Sequence, residues 1–368
     1  MSASQSEPIV LTLDAGGTNF VFSAMRGMDE VATPVRLPAH AQDLKLSLES
    51  MVQGFMQVSE QLSDKPAAIS FAFPGPADYP NGIIDNMGNL PAYGGGVALG
   101  PYLQERFGIP VYINNDGDLF AYGEAIAGLL PRVNQSLEAA GSPKRYRNLL
   151  GITLGTGFGA GIVTNGQLYV GDNSGAGEIW ITRNKRRPAC FAEEGVSIRA
   201  VQGSYARITG HAADAELTPK DIFEIGTGAR DGNKEAAQTA FAEMGEVIGD
   251  ALANAITMLD GLVVIGGGLA AAYPLFIEAV LAEMNGTIES YSGEKLPRIV
   301  QKVFDLEDQA GRQLFLTGEV KTITVPDSQK TVPYDSMSRL GIGKAVLDTS
   351  KAVSIGAYAY ALSQLQKG

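Results

Sequence analysis

The sequence predicts a two-lobed α/β protein whose mixed sheets are flanked by helices and whose ligand lies in a cleft between the lobes. The first observation is size, since 368 residues, 45% of them hydrophobic, suffice for about two ordinary domains. The second is a pattern of strand, glycine turn and strand at residues 8–25 that returns at residues 149–163. We interpret this repeat as a weak internal duplication, in which each lobe opens with a glycine-turn hairpin and a concave ligand site separates the lobes.

Hydrophobic spacing predicts the other elements. Short apolar runs that end at Gly, Pro or Asn predict further strands at 67–73, 111–114 and 262–265. Apolar residues that recur every three or four positions predict helices at 43–62, 98–107, 119–129, 195–205, 236–258 and 353–365. Two segments without motifs, residues 131–148 and 295–333, are expected to be surface insertions.

Composition and charge exclude several classes of protein. A net charge of −12 repels nucleic-acid phosphates, so we expect no nucleic-acid partner. One cysteine, Cys190, and two histidines exclude a disulfide framework and a metal centre built from several such residues. No stretch resembles about 20 apolar helical residues, and the polar first eight residues lack signal features, so we expect no membrane partner and a cytoplasmic location.

Three glycine-rich turns follow predicted strands. Glycine at such a turn lets backbone amides approach an anion closely, and a threonine hydroxyl adds a donor. The alternative is that each glycine only permits a tight hairpin or a bulge. Three such turns in one chain favour a nucleotide phosphate clamp that is neither a P-loop nor a dinucleotide fingerprint. The turns are Gly16-Gly17-Thr18, Gly155-Thr156-Gly157 and Gly266-Gly267-Gly268.

Asp116 is the candidate for chemistry because it lies where a predicted strand gives way to a helix. The positive end of a helix stabilises a carboxylate, which suits a general base that stays ionised at neutral pH. The alternative is that Asn115, Asp116 or Asp118 only caps the helix, a role these residue types fill well. Taken alone, Glu178 and Glu193 are acids in glycine-flanked, solvated loops.

Taken together and in order, these residues resemble the ROK family of sugar kinases and regulators, in the actin-like ATPase superfamily with its ribonuclease H-like fold. The resemblance runs nearly end to end. Its motifs are Leu13-Asp14-Ala15-Gly16-Gly17-Thr18, Pro74-Gly75-Pro76, Gly88-Asn89-Leu90-Pro91, Asn114-Asn115-Asp116-Gly117, Gly155-Thr156-Gly157-Phe158-Gly159, Gly175-Ala176-Gly177-Glu178-Ile179 and Val264-Ile265-Gly266-Gly267-Gly268.

The resemblance implies ATP-dependent phosphorylation of a hydroxyl on a hexose or an N-acyl hexosamine. Asp116 would be the general base and would contact the sugar. The other sugar-binding residues implied are Gly88, Asn89, Asn115, Glu178 and Glu193, with Glu194 as a rival for the last. The residues implied for ATP are Asp14, Gly16, Gly17, Thr18, Gly155, Thr156, Gly157, Gly266, Gly267 and Gly268, and Asp14 would also hold Mg²⁺ through water.

Two of the departures from the family bear on its zinc and sugar sites. Trp180-Ile181 stand where the family usually has Gly-His, and the family's zinc-binding cysteines are reduced to Cys190, so we expect no structural zinc. A sensor of sugar or nucleotide that has lost catalysis, without a DNA-binding domain, is therefore the alternative function. We also expect a homodimer, a smaller lobe of residues 1–115 closed by residues 350–368, and a larger lobe of residues 116–349.

Overall fold

The computed structural model of the protein describes residues 7–75, 77–85, 90–210 and 217–367. The helices in these ranges are α1 Leu44–Ser59, α2 Leu99–Phe107, α3 Asp116–Ala127, α4 Leu129–Ala139, α5 Ile198–Thr209, α6 Pro219–Thr227, α7 Lys234–Leu259, α8 Tyr273–Met284, α9 Gln309–Thr317 and α10 Thr349–Leu365. The strands are β1 Val10–Ala15, β2 Asn19–Arg26, β3 Asp29–Glu30, β4 Val35–Pro38, β5 Ala68–Ala72, β6 Ala77–Asp78, β7 Ile83–Ile84, β8 Val111–Asn114, β9 Leu149–Leu154, β10 Phe158–Thr164, β11 Gln167–Tyr169, β12 Leu262–Gly266, β13 Thr287–Glu289, β14 Lys295–Pro297, β15 Lys302–Asp305, β16 Val320–Thr324, β17 Thr331–Asp335 and β18 Arg339–Lys344.

The chain divides into two compact units. The first contains the residues up to 128, then 161–177 and those from 346 onward, and the second contains 129–160 and 178–345. The two larger sheets have the strand orders β3-β2-β1-β5-β8, with β4 also paired to β2, and β11-β10-β9-β12-β18-β15. In both sheets a strand pair joined by a glycine turn lies beside strands that run parallel to one another. The repeated strand order matches the duplication predicted from the sequence, whereas the predicted lobe boundaries stay a prediction.

Aromatic packing builds the core of the first unit. The rings of Phe22 on β2 and Phe55 on α1 meet edge to face, with 5.0 Å between their centroids. Gly54 allows this approach, because a β-carbon there would lie 2.2 Å from the Phe22 ring. Asp43 begins the helix by accepting a hydrogen bond from the backbone N–H of Leu46. Helix α1 is thus fixed against one face of the sheet, whose strand ends carry the candidate site.

The other face of this sheet is covered by α10, near the end of the chain. Ile355, Tyr358 and Ala361 are buried with Val10 and Ala68. The Tyr358 hydroxyl donates a hydrogen bond to the carbonyl of Pro8. Residues more than 340 positions apart therefore share one small apolar core. The helix predicted at 353–365 is confirmed, and it begins four residues earlier.

The two segments expected to be surface insertions are both partly buried, so that expectation is wrong. Strand β15 pairs in parallel with β18, and its Val303 and Phe304 are buried. Phe315, on α9, is fully buried. In the other segment, α4 buries Val133 and Leu137 on one face. The four-residue β15 is too short to show a period in the sequence, whereas Leu130, Val133 and Leu137 of α4 do recur at helical spacing.

Candidate functional site

Asp14 and Asp116 lie at the same edge of the first unit's sheet. Strands β1, β5 and β8 are parallel neighbours, with Asp14 level with Ala72 and Ala72 level with Asn114. The carboxyl ends of parallel strands meet at one edge, which is where α/β proteins bind ligands. Asp14 and Asp116 are close enough for the Asp14 charge to affect the Asp116 carboxyl. The fold therefore places two acids close together, where their negative charges repel each other.

The cap of α3 is Asn115 rather than Asp116. The Asn115 side chain accepts a hydrogen bond of 2.8 Å from the backbone N–H of Gly117. Asp116 is the first residue of the helix, and its Oδ1 shares the same N–H at 2.9 Å. The helix thus begins three residues before the predicted start, because Asn115 supplies the cap. The capping role is filled by its neighbour, and the Asp116 carboxyl keeps further acceptor capacity.

The Asp116 carboxyl has an unusual affinity for protons. Desolvation by the surrounding protein raises the pKa of Asp116, hydrogen bonds from the backbone of Gly117 and Asp116 oppose this, and the negative charge of Asp14 raises it further. The residue is nevertheless exposed to solvent. Among the residues that the structure describes, no Lys or Arg forms an ion pair with it. An accessible carboxyl with raised proton affinity can accept a proton from a bound hydroxyl.

The first glycine turn joins β1 to β2. The N–H of Gly16 donates to the carbonyl of Asn19, and a β-carbon on Gly16 would lie 2.9 Å from that oxygen. Gly17 and Thr18 follow and are exposed, while the carbonyl of Thr18 accepts from Ala39. The turn is therefore held from both sides and keeps its small residues open to solvent.

In the second unit, Glu193 supports the second glycine turn. Its Oε2 accepts a 3.0 Å hydrogen bond from the N–H of Phe158, and its Oε1 accepts one of 3.1 Å from Arg199. A β-carbon on Gly157 would lie 2.7 Å from the same Oε2, so a larger residue there would displace the Glu193 carboxylate. Glu194 is exposed and contacts Arg199 at 2.7 Å. Of the two rivals, Glu193 is the one that reaches the turn.

The third glycine turn lies beside the second. Strands β12 and β9 are parallel, with Gly266 level with Thr153. Gly267 has a φ of +85°, and a β-carbon there would lie 2.4 Å from the carbonyl oxygen of Leu154. The residue must be glycine for both reasons. Space is open beyond Gly155 and Gly268, where an added β-carbon would meet nothing within 4 Å.

Glu178 is held by an aromatic side chain. The indole N–H of Trp180 donates a hydrogen bond to Glu178 Oε2. The Trp180 ring packs edge to face on Phe191, with centroids 5.7 Å apart. The N–H of Ala192 donates to the carbonyl of Thr182. Trp180 thus connects the segment that carries Glu178 to the one that carries Glu193.

The sequence reasoning missed the residues that hold these loops. Asn184 accepts hydrogen bonds from the backbone N–H groups of Arg186 and Arg187. The Arg186 guanidinium bridges Glu243 at 2.6 Å and Glu246 at 2.5 Å on α7. No spacing in the sequence marks these contacts, because they join positions about 60 residues apart. Gly88 and Asn89, predicted to bind sugar, and Pro76 lie outside the described residues.

Two further findings concern metals and membranes. Within the described ranges, no three His, Cys, Asp or Glu side chains come together in a way that could hold a metal ion. Over the same ranges, none of the helices combines the length and the apolar character that crossing a membrane requires. Cys190 is a free, half-buried thiol.

Parallel strands that end in glycine turns, with helices on both faces of the first unit's sheet, define an α/β protein with the actin-like ATPase fold. The chain belongs to the ROK family, whose model matches residues 10–313. It superposes on the crystal structure of a glucokinase from Parabacteroides distasonis with a TM-score of 0.90 and 50% identity, covering 99% of each chain. This confirms the predicted family and fold class.

Two curated relatives come from other bacteria. The N-acetyl-D-glucosamine kinase of Vibrio cholerae is 26% identical over 300 residues, which cover 78% of this chain and 92% of the relative. The glucokinase of Halalkalibacterium halodurans is 27% identical over 318 residues, with 78% of this chain and 86% of the relative covered. The named relatives are thus sugar kinases.

Proposed function

We propose that the protein transfers the terminal phosphoryl group of ATP to a hydroxyl of a hexose or an N-acyl hexosamine. The relatives named above include a kinase of each sugar class, and they match most of the chain. The observation that carries the proposal is the Asp116 carboxyl, which is solvent-exposed, first in α3, raised in pKa and not paired with a described cation.

In this proposal Asp116 accepts the proton of the sugar hydroxyl as its oxygen attacks the terminal phosphorus. The bond from that phosphorus to the bridging oxygen of ADP then breaks. Little covalent work falls to the protein, so positioning and charge stabilisation supply most of the catalysis. Asn115, Glu178 and Glu193 would bind the other hydroxyls, together with Gly88 and Asn89.

The glycine turns fit the phosphates of ATP. Gly16, Gly17 and Thr18 are exposed at the end of β1, and the space beyond Gly155 and Gly268 is open. Backbone amides at such turns bind phosphate oxygens. The residues proposed for the phosphates are Gly16, Gly17, Thr18, Gly155, Thr156 and Gly157, and those proposed for the adenosine are Gly266, Gly267 and Gly268.

The acidic residues fit a magnesium ion. Mg²⁺ keeps several waters and is bound by one or two carboxylates together with substrate phosphates, so a cluster of three protein ligands is not needed. Asp14 is exposed, and its charge raises the pKa of Asp116, a repulsion that a nearby cation would relieve. Asp14 would hold the ion through water. When bound, the ion neutralises charge on the phosphates.

The test measures ADP release with a panel of hexoses and N-acyl hexosamines for the wild type and Asp116→Asn. We expect the substitution to lower kcat by ~10²–10⁴-fold, because a general base contributes about that much. Asp43→Asn is the matched control, since Asp43 is also an aspartate at a helix start and Asn caps equally well. A wild-type rate in Asp116→Asn would contradict the role of Asp116.

The alternative of a sensor without catalysis is not favoured, because the named relatives are kinases. Sugar binding without ATP turnover on any sugar of the panel would restore it. We further propose that the protein is a cytoplasmic homodimer that contains no structural zinc and binds no nucleic acid. The single cysteine, which cannot form a disulfide within the chain, agrees with a reducing cytoplasm.

A further inference from the structure

A small cavity, here called the α4–α9 cavity, lies between these two helices of the second unit. Its volume is about 210 Å³, below the ~300–1,000 Å³ of pockets that hold drug-sized ligands. The cavity therefore suits a small ligand rather than a whole nucleotide. Apolar side chains form one part of its wall. The polar residues of the wall are Arg132, Ser136, Glu307, Gln309 and Arg312.

Arg312 is the residue that points to an anionic ligand. Among the described residues, four arginines are partly or fully buried, namely Arg26, Arg298, Arg312 and Arg339. Each of them except Arg312 forms an ion pair with a carboxylate in these ranges. The Arg312 guanidinium donates one hydrogen bond to a described residue, of 3.3 Å, from Nη2 to Ser136 Oγ. Since a guanidinium is always charged and carries several N–H donors, most donors of Arg312 remain available to a ligand.

A second guanidinium lines the same cavity. Arg132, on α4, is exposed and forms no ion pair with a described carboxylate. Ser136, one turn further along α4, donates its hydroxyl to the carbonyl of Arg132 and lies beside Arg312. The two arginines thus reach one space from different helices, Arg132 from α4 and Arg312 from α9. Two positive charges at one cavity repel each other unless an anion lies between them.

The acidic side chains near the cavity are bound to backbone groups instead of to the arginines. Glu307 lines the cavity, and its Oε1 accepts a 3.0 Å hydrogen bond from the backbone N–H of Lys344. Asp308 caps α9 by accepting a 2.6 Å hydrogen bond from the N–H of Gly311. Two arginines against one glutamate give the wall a net charge of +1, in a chain of net charge −12. A cavity of that sign attracts anions.

The cavity is separate from the three glycine turns. Leu306 and Glu307, which line it, follow β15 at the edge of the second sheet. Strand β18 lies between β15 and β12, the strand that ends at Gly266. Since neighbouring strands lie ~4.8 Å apart, the ends of β15 and β12 are about 10 Å apart. None of the residues proposed above for ATP lines the cavity.

We propose that the α4–α9 cavity binds a phosphate group, either of inorganic phosphate or of a small phosphomonoester. Planar guanidinium groups bind phosphate oxygens through paired hydrogen bonds. A phosphate group carries nearly two negative charges at neutral pH and so balances two arginines, whereas a carboxylate balances one. A phosphate bound by Arg132 and Arg312 joins α4 to α9 and stabilises their packing. This proposal does not depend on the proposed kinase activity.

Titrations of the full chain followed by phosphorus NMR test the proposal, at constant ionic strength. The probes are inorganic phosphate and glycerol phosphate, and acetate serves as the carboxylate for comparison. Each titration is run with and without a non-hydrolysable ATP analogue and Mg²⁺, which occupy the proposed ATP site. We expect Arg312→Gln to raise the Kd for phosphate ~10-fold or more, because it removes a charged hydrogen-bond donor. Arg106→Gln, on α2, is the matched control, since it removes the same charge elsewhere and should leave the Kd unchanged.

A second variant keeps the test decisive if Arg312→Gln fails to fold, which circular dichroism checks. Glu307→Gln removes the negative charge from the wall, while its amide oxygen can still accept from the N–H of Lys344. We expect this variant to bind phosphate more tightly than the wild type, an effect that a merely structural role of Glu307 would not produce.

The outcomes also identify the source of the phosphate group. Tighter binding of glycerol phosphate supports a phosphomonoester as the ligand, and tighter binding of inorganic phosphate supports the free ion. Equal phosphate binding by Arg312→Gln and Arg106→Gln would overturn the proposal. Loss of phosphate binding in the presence of the ATP analogue, or acetate binding as tight as that of phosphate, would overturn it as well. Each of these results can be read whether or not the protein phosphorylates sugars.

Discussion

Replacing Glu193 with alanine distinguishes two roles of this residue, its support of the turn proposed to hold the phosphates and the sugar binding proposed above. The substitution removes the acceptor of the Phe158 N–H, a 3.0 Å bond to a charged group, while Arg199 keeps Glu194 as a partner at 2.7 Å. A hydrogen bond to a charged group contributes ~1.5–3 kcal/mol, which corresponds to about 10- to 150-fold in an equilibrium constant. Because Phe158 follows the turn proposed to hold the phosphates, we expect the KM for ATP to rise by a factor in that range.

The assay is initial-rate kinetics with ATP varied at saturating sugar, and then with sugar varied at saturating ATP. Glu194→Ala is the matched control, since Glu194 is adjacent, exposed and bound to the same arginine. An exposed ion pair contributes about 0–1 kcal/mol, so its removal should change the KM for ATP by less than about fivefold. If Glu193→Ala raised only the KM for sugar, the support of the turn would be refuted. An equal loss in Glu194→Ala would refute the choice between the two acids.

Three further predictions concern Asp116 and the packing around it. Because the pKa of Asp116 is raised and the base must be ionised, the acid limb of the pH profile of kcat/KM for the wild type should have its midpoint above pH 3.8, the usual pKa of Asp. A midpoint below pH 3.8 would contradict the raised pKa. A raised pKa means that the ionised Asp116 carboxyl destabilises the fold at neutral pH, so Asp116→Asn should raise the Tm at pH 7. The difference in Tm between the variant and the wild type should vanish as the pH falls below 3.8. An unchanged Tm at pH 7 would count against this reasoning. Gly123→Ala places a β-carbon 1.9 Å from the carbonyl oxygen of Ala352, where α3 crosses α10. The free energy of unfolding, measured by denaturant titration, should therefore fall by more than the ~1–3 kcal/mol of ordinary overpacking, whereas Ala125→Gly on the same helix should lower it by only about 1 kcal/mol.

The sequence predicts those parts of the fold whose signals are local. Strand β8 has its predicted bounds, 111–114, because it is a short apolar run that ends at a turn. Helix α3 begins earlier than predicted, since its first residues are polar and only the Asn115 cap reveals them. Strand β15 was predicted as surface because four residues carry no period. Its burial depends on β18, which lies more than 30 residues further along the chain.

The candidate site also combines features with local sequence signals and features that depend on distant residues. Glycine turns and acids after strands are local patterns, so Asp14, Asp116 and the three turns could be found from the sequence. The partners of the acids could not, because Arg199 with Glu193 and Trp180 with Glu178 are contacts of side chains whose directions depend on the folded loops. The sequence also leaves capping and catalysis open at Asp116, and only the geometry assigns the cap to Asn115.

The position of α10 has a consequence for synthesis on the ribosome. The Tyr358 hydroxyl meets the carbonyl of Pro8 across 350 positions, and Val10 and Ala68 are covered only when this last helix arrives. At ~5–20 residues per second, the N-terminal strands emerge about 20–70 s before the helix that covers them. For that interval the nascent chain presents an uncovered apolar sheet face, a binding surface for chaperones. A truncated chain that ended before residue 349 would leave that face uncovered permanently.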